Sequence, residues 1–176
     1  WRSALGNVIA GLEFKGVKKS EAIEKGRHWL RRVGLAGFED SYPHHLSGGM
    51  RKRVSMAQTL IMDPDIILMD ESFSALDIQT RQLMENLLLD LWSGEKKAVL
   101  FITHDLDEAI SMSDRVIVMS AGPASHPIGE FLIDLPRPRD VTEVRGDPRF
   151  VSLHRSIWNV LREEVLKGYE NQMQRK

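Results

Sequence analysis

Ser47, Gly48, Gly49 and Met50 follow Leu46 at the start of a helical pattern, and Asp70 and Glu71 follow the apolar run Ile66-Ile67-Leu68-Met69. These residue types suit two halves of one chemistry. A serine and two glycines opening a helix leave the free N–H groups of its first turn, and the positive end of its dipole, facing an anion. Two carboxylates at the end of a buried strand can hold Mg²⁺ through water and polarise an attacking water. The pair reads as half of a nucleotide-hydrolysing site. Ser74-Ala75-Leu76-Asp77 and Thr103-His104-Asp105 continue the order along the chain. An isolated Asp-Glu pair after a core strand is commonly a solvated acidic loop, and an isolated Ser-Gly-Gly is commonly a plain helix cap.

The elements that must position these residues alternate in type. Ala4 to Leu12 and Ser20 to Val33 read as helices, the second with Ser20 as N-cap, Ile23, Trp29, Leu30 and Val33 as apolar positions and Gly34 at its stop. A helix from Ser47 carries Val54, Ala57, Leu60 and Ile61 on one face and ends before Asp63-Pro64. Ile66 to Met69 reads as a strand covered on both faces. Met84, Leu87, Leu88 and Leu91 mark the next helix; Ala98 to Ile102 and Val116 to Met119 are two further strands. Strand, helix, strand, helix, strand predicts a parallel α/β sheet. Its strand ends place Asp70-Glu71 and Thr103-His104 where ligands of open parallel sheets bind. Ile128 to Leu135 reads as a later strand or hairpin and Pro136-Arg137-Pro138-Arg139 as a non-helical connector. Asp147-Pro148 then caps a helix carrying Phe150, Leu153, Ile157, Leu161 and Val165, with fraying expected from Gly168 onward.

The order of these motifs resembles the ATPase subunit of ABC transporters. In that resemblance Leu46 to Met50 is the signature loop, Ile66 to Glu71 is Walker B, Ser74 to Asp77 is the D-loop and His104 is the switch histidine. The fold it implies is a P-loop NTPase-like parallel sheet with a helical signature subdomain. The division expected is residues 1–62 for that subdomain, 63–125 for the ATPase core and 126–176 for a C-terminal strand, connector and helix. The resemblance implies ATP and Mg²⁺ as ligands. Asp70 would orient Mg²⁺, Glu71 would act as general base, and His104 would hydrogen-bond the γ-phosphate. Ser47, Gly48, Gly49 and Met50, with Asp77, would contact nucleotide across a dimer. Met50 stands where glutamine is commoner, a departure found in part of the family.

Trp1 to Val8, Tyr42-Pro43, Leu135 to Asp140, and Ile157-Trp158 with Leu161-Arg162 look like the nitrate, sulfonate and taurine importer ATPases of bacteria. The partners this implies are a second ATPase subunit, a transmembrane permease and, indirectly, a solute-binding protein, at the cytoplasmic face of the inner membrane. A phosphate loop, Gly-x4-Gly-Lys-Ser/Thr, is not among the 176 residues. The lookalike Gly11 to Gly16, followed by Val17-Lys18-Lys19-Ser20, is one residue out of register and follows a helix. With no initiator methionine before Trp1, the expectation is a chain lacking its N-terminal Walker A part and inactive alone. A non-catalytic half-module that binds a partner subunit, or a non-transport soluble ABC ATPase, is the alternative.

Composition narrows the remaining classes. Lys and Arg number 24 against 25 Asp and Glu, so no basic field argues for nucleic acid. Cysteine is absent, which removes disulfides and thiolate metal sites. The longest apolar runs are short of a membrane span. His44 and His45, being adjacent, are expected to point apart as surface or hinge residues, and His28, His126 and His154 to be structural or solvated. Arg51-Lys52-Arg53 reads as a solvated helix start, without the aromatic interleaving of a nucleic-acid surface.

Overall fold

The computed structural model describes residues 2–74, 76–94 and 97–173. Trp1, Ala75 and residues 174–176, on which parts of the expectations above fall, lie outside them. The chain divides into two compact units, Trp1–Ile102 and Thr103–Lys176.

The first unit opens with three packed helices, α1 (Ala4–Phe14), α2 (Lys19–Arg32) and α3 (Gly48–Leu60). Ser3 caps α1 by accepting from the Gly6 amide at 3.2 Å. Ser20 does not cap α2: Lys18 holds the cap position without a side-chain bond. Gly16, at φ 75°, and the Val17 amide bonded to the Leu12 carbonyl turn the chain into the helix earlier than serine chemistry suggests. Gly34, at φ 68°, follows the end of α2 as expected. A Cβ on Gly26 would lie 2.4 Å from Ile9 Cγ2, so the close approach of α1 and α2 requires glycine there. Val8, Leu12, Leu30, Val33, Val54, Ala57 and Leu60 are buried in this unit.

The parallel strands β1 (Ile66–Asp70) and β2 (Ala98–Ile102) complete the unit, joined by α4 (Ile78–Gly94). The register pairs Ile66 with Ala98, Leu68 with Leu100 and Asp70 with Ile102. β1 is not covered on both faces. Ile67 and Met69 are buried, whereas Ile66 and Leu68 are 63% and 72% exposed, beside Leu100 and Ile102 at 60% and 54%. A continuous apolar run supplies hydrophobes for two faces, and among the described residues only one of them is covered.

The second unit contains α5 (Leu106–Met112), β3 (Arg115–Met119), β4 (Pro127–Leu132) and α6 (Pro148–Met173). β3 does not continue a parallel sheet; it pairs antiparallel with β4. The link between them is a short turn in which the Ser120 amide donates to the His126 carbonyl at 2.8 Å. A turn of that length joins antiparallel neighbours, while a parallel pair needs a long crossover. Ile110, Val116, Val118, Ile133, Leu135, Phe150 and Ile157 form the core, with Leu153 and Leu161 packed at its margin. Val165, expected on the same face, is 46% exposed. α6 continues through Gly168 to Met173 instead of fraying there.

Candidate functional site

Leu46 is buried and anchors the entry to α3, where the Ser47 hydroxyl accepts from the Met50 amide at 3.2 Å. Ser47 and Gly48 are exposed, and a Cβ on Gly48 would meet nothing within 4 Å, so the first turn stays open on that side. No acidic residue stands in that turn. A Cβ on Gly49 would lie 3.6 Å from Leu76 Cδ2, which brings the signature-like turn against Leu76. The basic residues that follow are not simply solvated. Arg51 Nη1 donates to the Leu46 carbonyl at 2.6 Å, and Arg53 Nη1 donates to the Val33 and Gly34 carbonyls at 3.0 and 3.2 Å. Arg51 thus staples the turn to its own helix, and Arg53 occupies the orphan carbonyls that end α2. The His44 and His45 rings do not point apart: a 3₁₀ turn over Pro43–His45 sets their centroids 4.0 Å from each other, with Tyr42 stacked on His44 at 5.9 Å.

Asp70 ends β1, and the chain turns at once. Glu71 takes a left-handed conformation, φ 43°, and its amide donates to the Ile102 carbonyl at 2.9 Å. A non-glycine residue in that region costs on the order of 1–3 kcal/mol and persists where its surroundings determine it. Here they do so from two sides. Ser74 Oγ donates to the Glu71 carbonyl at 2.9 Å, and Phe73, fully buried, meets Phe101 edge-on at 5.7 Å. Both carboxylates are left exposed at the carboxyl end of the parallel pair. Among the described residues no cluster of three candidate metal ligands occurs. A single exposed carboxylate fits a hard cation such as Mg²⁺, which keeps most of its coordination as water and substrate phosphate.

Asp77 caps α4, its Oδ1 accepting from the Thr80 amide at 3.0 Å. That backbone bond, with a side-chain bond to Thr80, holds its carboxyl below the ordinary 3.8.

His104 belongs to the second unit and is exposed between Thr103 and Asp105. Asp105 caps α5, Oδ1 accepting from the Asp107 and Glu108 amides at 2.9 and 3.2 Å. A helix of seven residues is too short to hold itself, and its far end is gripped by arginines from the Pro136 to Arg139 connector. Arg137 Nη2 donates to the Met112 carbonyl at 3.1 Å and to Asp114 at 2.8 Å. Arg139, 8% exposed, donates to the carbonyls of Ser113 at 2.7 Å, Leu135 at 2.9 Å and Ile133 at 3.2 Å. Burial lowers its pKa to about 10, with repulsion from Arg137 adding and Asp114 opposing, so it stays charged at neutral pH. From the sequence this segment reads only as a non-helical connector. The signal available was two arginines alternating with prolines, where the chain cannot satisfy its carbonyls by a helix.

Residues 6–74 match the family model described as ABC transporter. The chain is 51% identical over 169 residues to an uncharacterized ABC transporter ATP-binding protein of Methanocaldococcus jannaschii, covering 96% of this chain and 61% of that protein. To a taurine import ATP-binding protein of Rhizobium johnstonii it is 41% identical over 165 residues, covering 92% and 63%. To an aliphatic sulfonates import ATP-binding protein of a Mycobacterium it is 46% identical over 167 residues, covering 94% and 65%. It therefore spans less than two thirds of the length of these relatives. Among solved structures, a dimeric ATP-binding cassette in a post-hydrolysis state with ADP and Pi superposes with a TM-score of 0.61 and 34% identity, over 65% of this chain and 51% of that one.

Proposed function

We propose that this chain, whose residues 6–74 belong to the ABC transporter family and whose fold is that of an ABC ATPase cassette, works within an ATP-hydrolysing subunit that powers solute import. The observation that carries the reading is the strand-end turn, where Glu71 is exposed in a pinned left-handed conformation directly after Asp70. Phosphoryl transfer to water asks for positioning and charge compensation more than covalent help. In this reading Glu71 accepts the proton of the attacking water, and Asp70 holds the water shell of Mg²⁺, which compensates phosphate charge. His104 donates to the γ-phosphate. Ser47, Gly48, Gly49 and Met50 present the α3 amides to the nucleotide of a second ATPase subunit, and Asp77 holds the loop beside them. Residues 1–62 serve as the signature subdomain, 63–125 as the catalytic core and 126–176 as its C-terminal support.

The phosphate loop is supplied from outside these 176 residues. The exposed face of Ile66, Leu68, Leu100 and Ile102 and the greater length of the relatives favour this. The relatives named for taurine and sulfonate import favour a small solute of the nitrate, sulfonate or taurine kind, moved by a transmembrane permease with this subunit at the cytoplasmic face of the bacterial inner membrane. Among the described residues no helix is long and apolar enough to cross a membrane, and in this reading attachment runs through that permease.

The test is hydrolysis of labelled ATP by the complete subunit and by the 176-residue chain. Magnesium-dependent turnover is expected of the first and none of the second; robust turnover by the chain alone would refute the assignment of an external phosphate loop. Deleting the permease should release the subunit from membranes, and retention on permease-free membranes would contradict the attachment.

A further inference from the structure

Glu108 is 3% exposed, on the first turn of α5. A carboxyl in that position ordinarily reaches solvent, and burying one is costly unless it is hydrogen-bonded. Capping does not account for it, because Asp105 already accepts the Asp107 and Glu108 amides. What Glu108 holds is Thr103: Thr103 Oγ1 donates to Glu108 Oε2 at 2.6 Å, at the short end for O–H···O bonds. The same hydroxyl accepts from the Asp105 amide at 3.0 Å. Thr103 Oγ1 thus bridges the residue after His104 and the buried carboxyl, closing a ring around the one member of the segment whose side chain stays exposed. Thr103, Asp105 and Glu108 all direct polar atoms into the turn.

We infer that Thr103 and Glu108 are positioning residues for His104, a hydroxyl and carboxyl clamp that fixes the backbone on both sides of it so that its imidazole is presented in one place. The inference rests on the reading of His104 as the γ-phosphate donor. The physical need is clear from the site's chemistry. A donor to developing charge acts through preorganisation, and a displacement of about 1 Å can cost about 10²-fold. His104 lies between a strand end and a helix of only seven residues, a place where backbone freedom is otherwise large.

The experiment uses the complete ATPase subunit with five variants: His104→Ala, Thr103→Val, Thr103→Ser, Glu108→Gln and the double variant Thr103→Val with His104→Ala. Steady-state ATP turnover and the thermal midpoint are measured for each. Thr103→Val keeps the shape and removes the hydroxyl; it should lower kcat about tenfold or more and move KM for ATP less than twofold. Thr103→Ser should restore kcat to within about threefold. Glu108→Gln, which keeps an acceptor oxygen and the volume, should lower kcat by less than Thr103→Val does. In the His104→Ala background Thr103→Val should cost nothing more, since a residue acting only through the imidazole has nothing left to position.

An unchanged kcat in Thr103→Val, or losses that multiply in the double variant, would overturn the clamp while leaving the role of His104 standing. Full turnover in His104→Ala would remove that role, and the clamp with it. Should Thr103→Val fail to fold, Glu108→Gln decides: a kcat equal to the parent's overturns the inference, and a lowered kcat at unchanged KM and thermal midpoint supports it.

Discussion

In residues 103–173 a two-stranded antiparallel sheet and two helices enclose a continuous core, with Ile110 and Ile157 wholly buried. In residues 2–102 a three-helix cluster is equally well buried, but the parallel pair β1–β2 keeps one apolar face in solvent, with Leu68 72% exposed. Both regions draw on the same kind of sequence, short runs of branched apolar residues. They differ in whether the strand's second face meets anything. The hairpin closes on itself because a short turn returns the chain beside β3. The parallel pair has no second layer over that face among the described residues. The candidate site residues follow the same contrast. Asp70 and Glu71 sit at the end of the half-covered pair, where the Glu71 amide bonds Ile102, while His104 sits on a segment tied down at both ends by buried polar groups.

The largest expected effect breaks the half-covered side at its proposed general base. Glu71→Gln in the complete subunit should reduce ATP hydrolysis by on the order of 10²–10⁴-fold while sparing ATP binding, as read by turnover and by equilibrium nucleotide binding. Undiminished turnover would remove the general base from this turn and leave its strained backbone without a functional account.

Next comes the closed side. Ile157→Ala should destabilise by about 2–5 kcal/mol in denaturant unfolding, because it opens a cavity in a core already packed around it. A cost below about 1 kcal/mol would show that this core is looser than its burial indicates.

A smaller effect belongs to the turn that opens α3. Ser47→Ala should cost about 1 kcal/mol through loss of the cap on the Met50 amide, measured by the unfolding midpoint.

The cap of α4 gives a pH-dependent comparison. The Asp77 carboxyl is held below its ordinary value chiefly by the Thr80 amide, so the folded state binds its proton less readily than the unfolded chain. Its contribution is fully present above the unfolded value of 3.8 and is lost as pH falls through the lower folded value. Asp77→Asn should flatten that acid limb of the stability curve; an unaltered limb would assign it to other groups.

The smallest effect is the most direct test of the contrast. Leu68→Ser should change the stability of the 176-residue chain by less than about 0.5 kcal/mol and raise its solubility, since the side chain is exposed there. In the complete subunit the same change should cost several times more; equal small costs in both settings would mean that nothing covers this face.

Much of this was legible in residue order. The helix starting at Ser47, its buried face of Val54, Ala57, Leu60 and Ile61, and the strand ending at Asp70 all follow from periodicity and end signals that act within one element. The Ser20 cap failed because serine competes with whatever turn precedes it, and Gly16 set that turn. The β3 partner failed because apolar runs state that a strand is buried, and are silent on which neighbour buries it. The arginine connector was visible as composition, but its carbonyl targets on Ser111, Ser113 and Ile133 lie twenty-eight, twenty-six and six residues away.

What the amino-acid order determined by itself is local: which residues are helical, where the strand ends fall, and that a serine-glycine turn, a carboxylate pair and a histidine occur in an order similar to that of ABC ATPases. These depend on period, caps and side-chain chemistry within a few residues. Only the tertiary structure decided that Glu71 is left-handed and bonded to Ile102, that Arg53 closes the end of α2, and that a buried carboxyl at Glu108 reaches back to Thr103. Each depends on a backbone or polar group meeting a partner whose place is set by the packing of other elements, and the free energy of burying that pair exists only once the packing does.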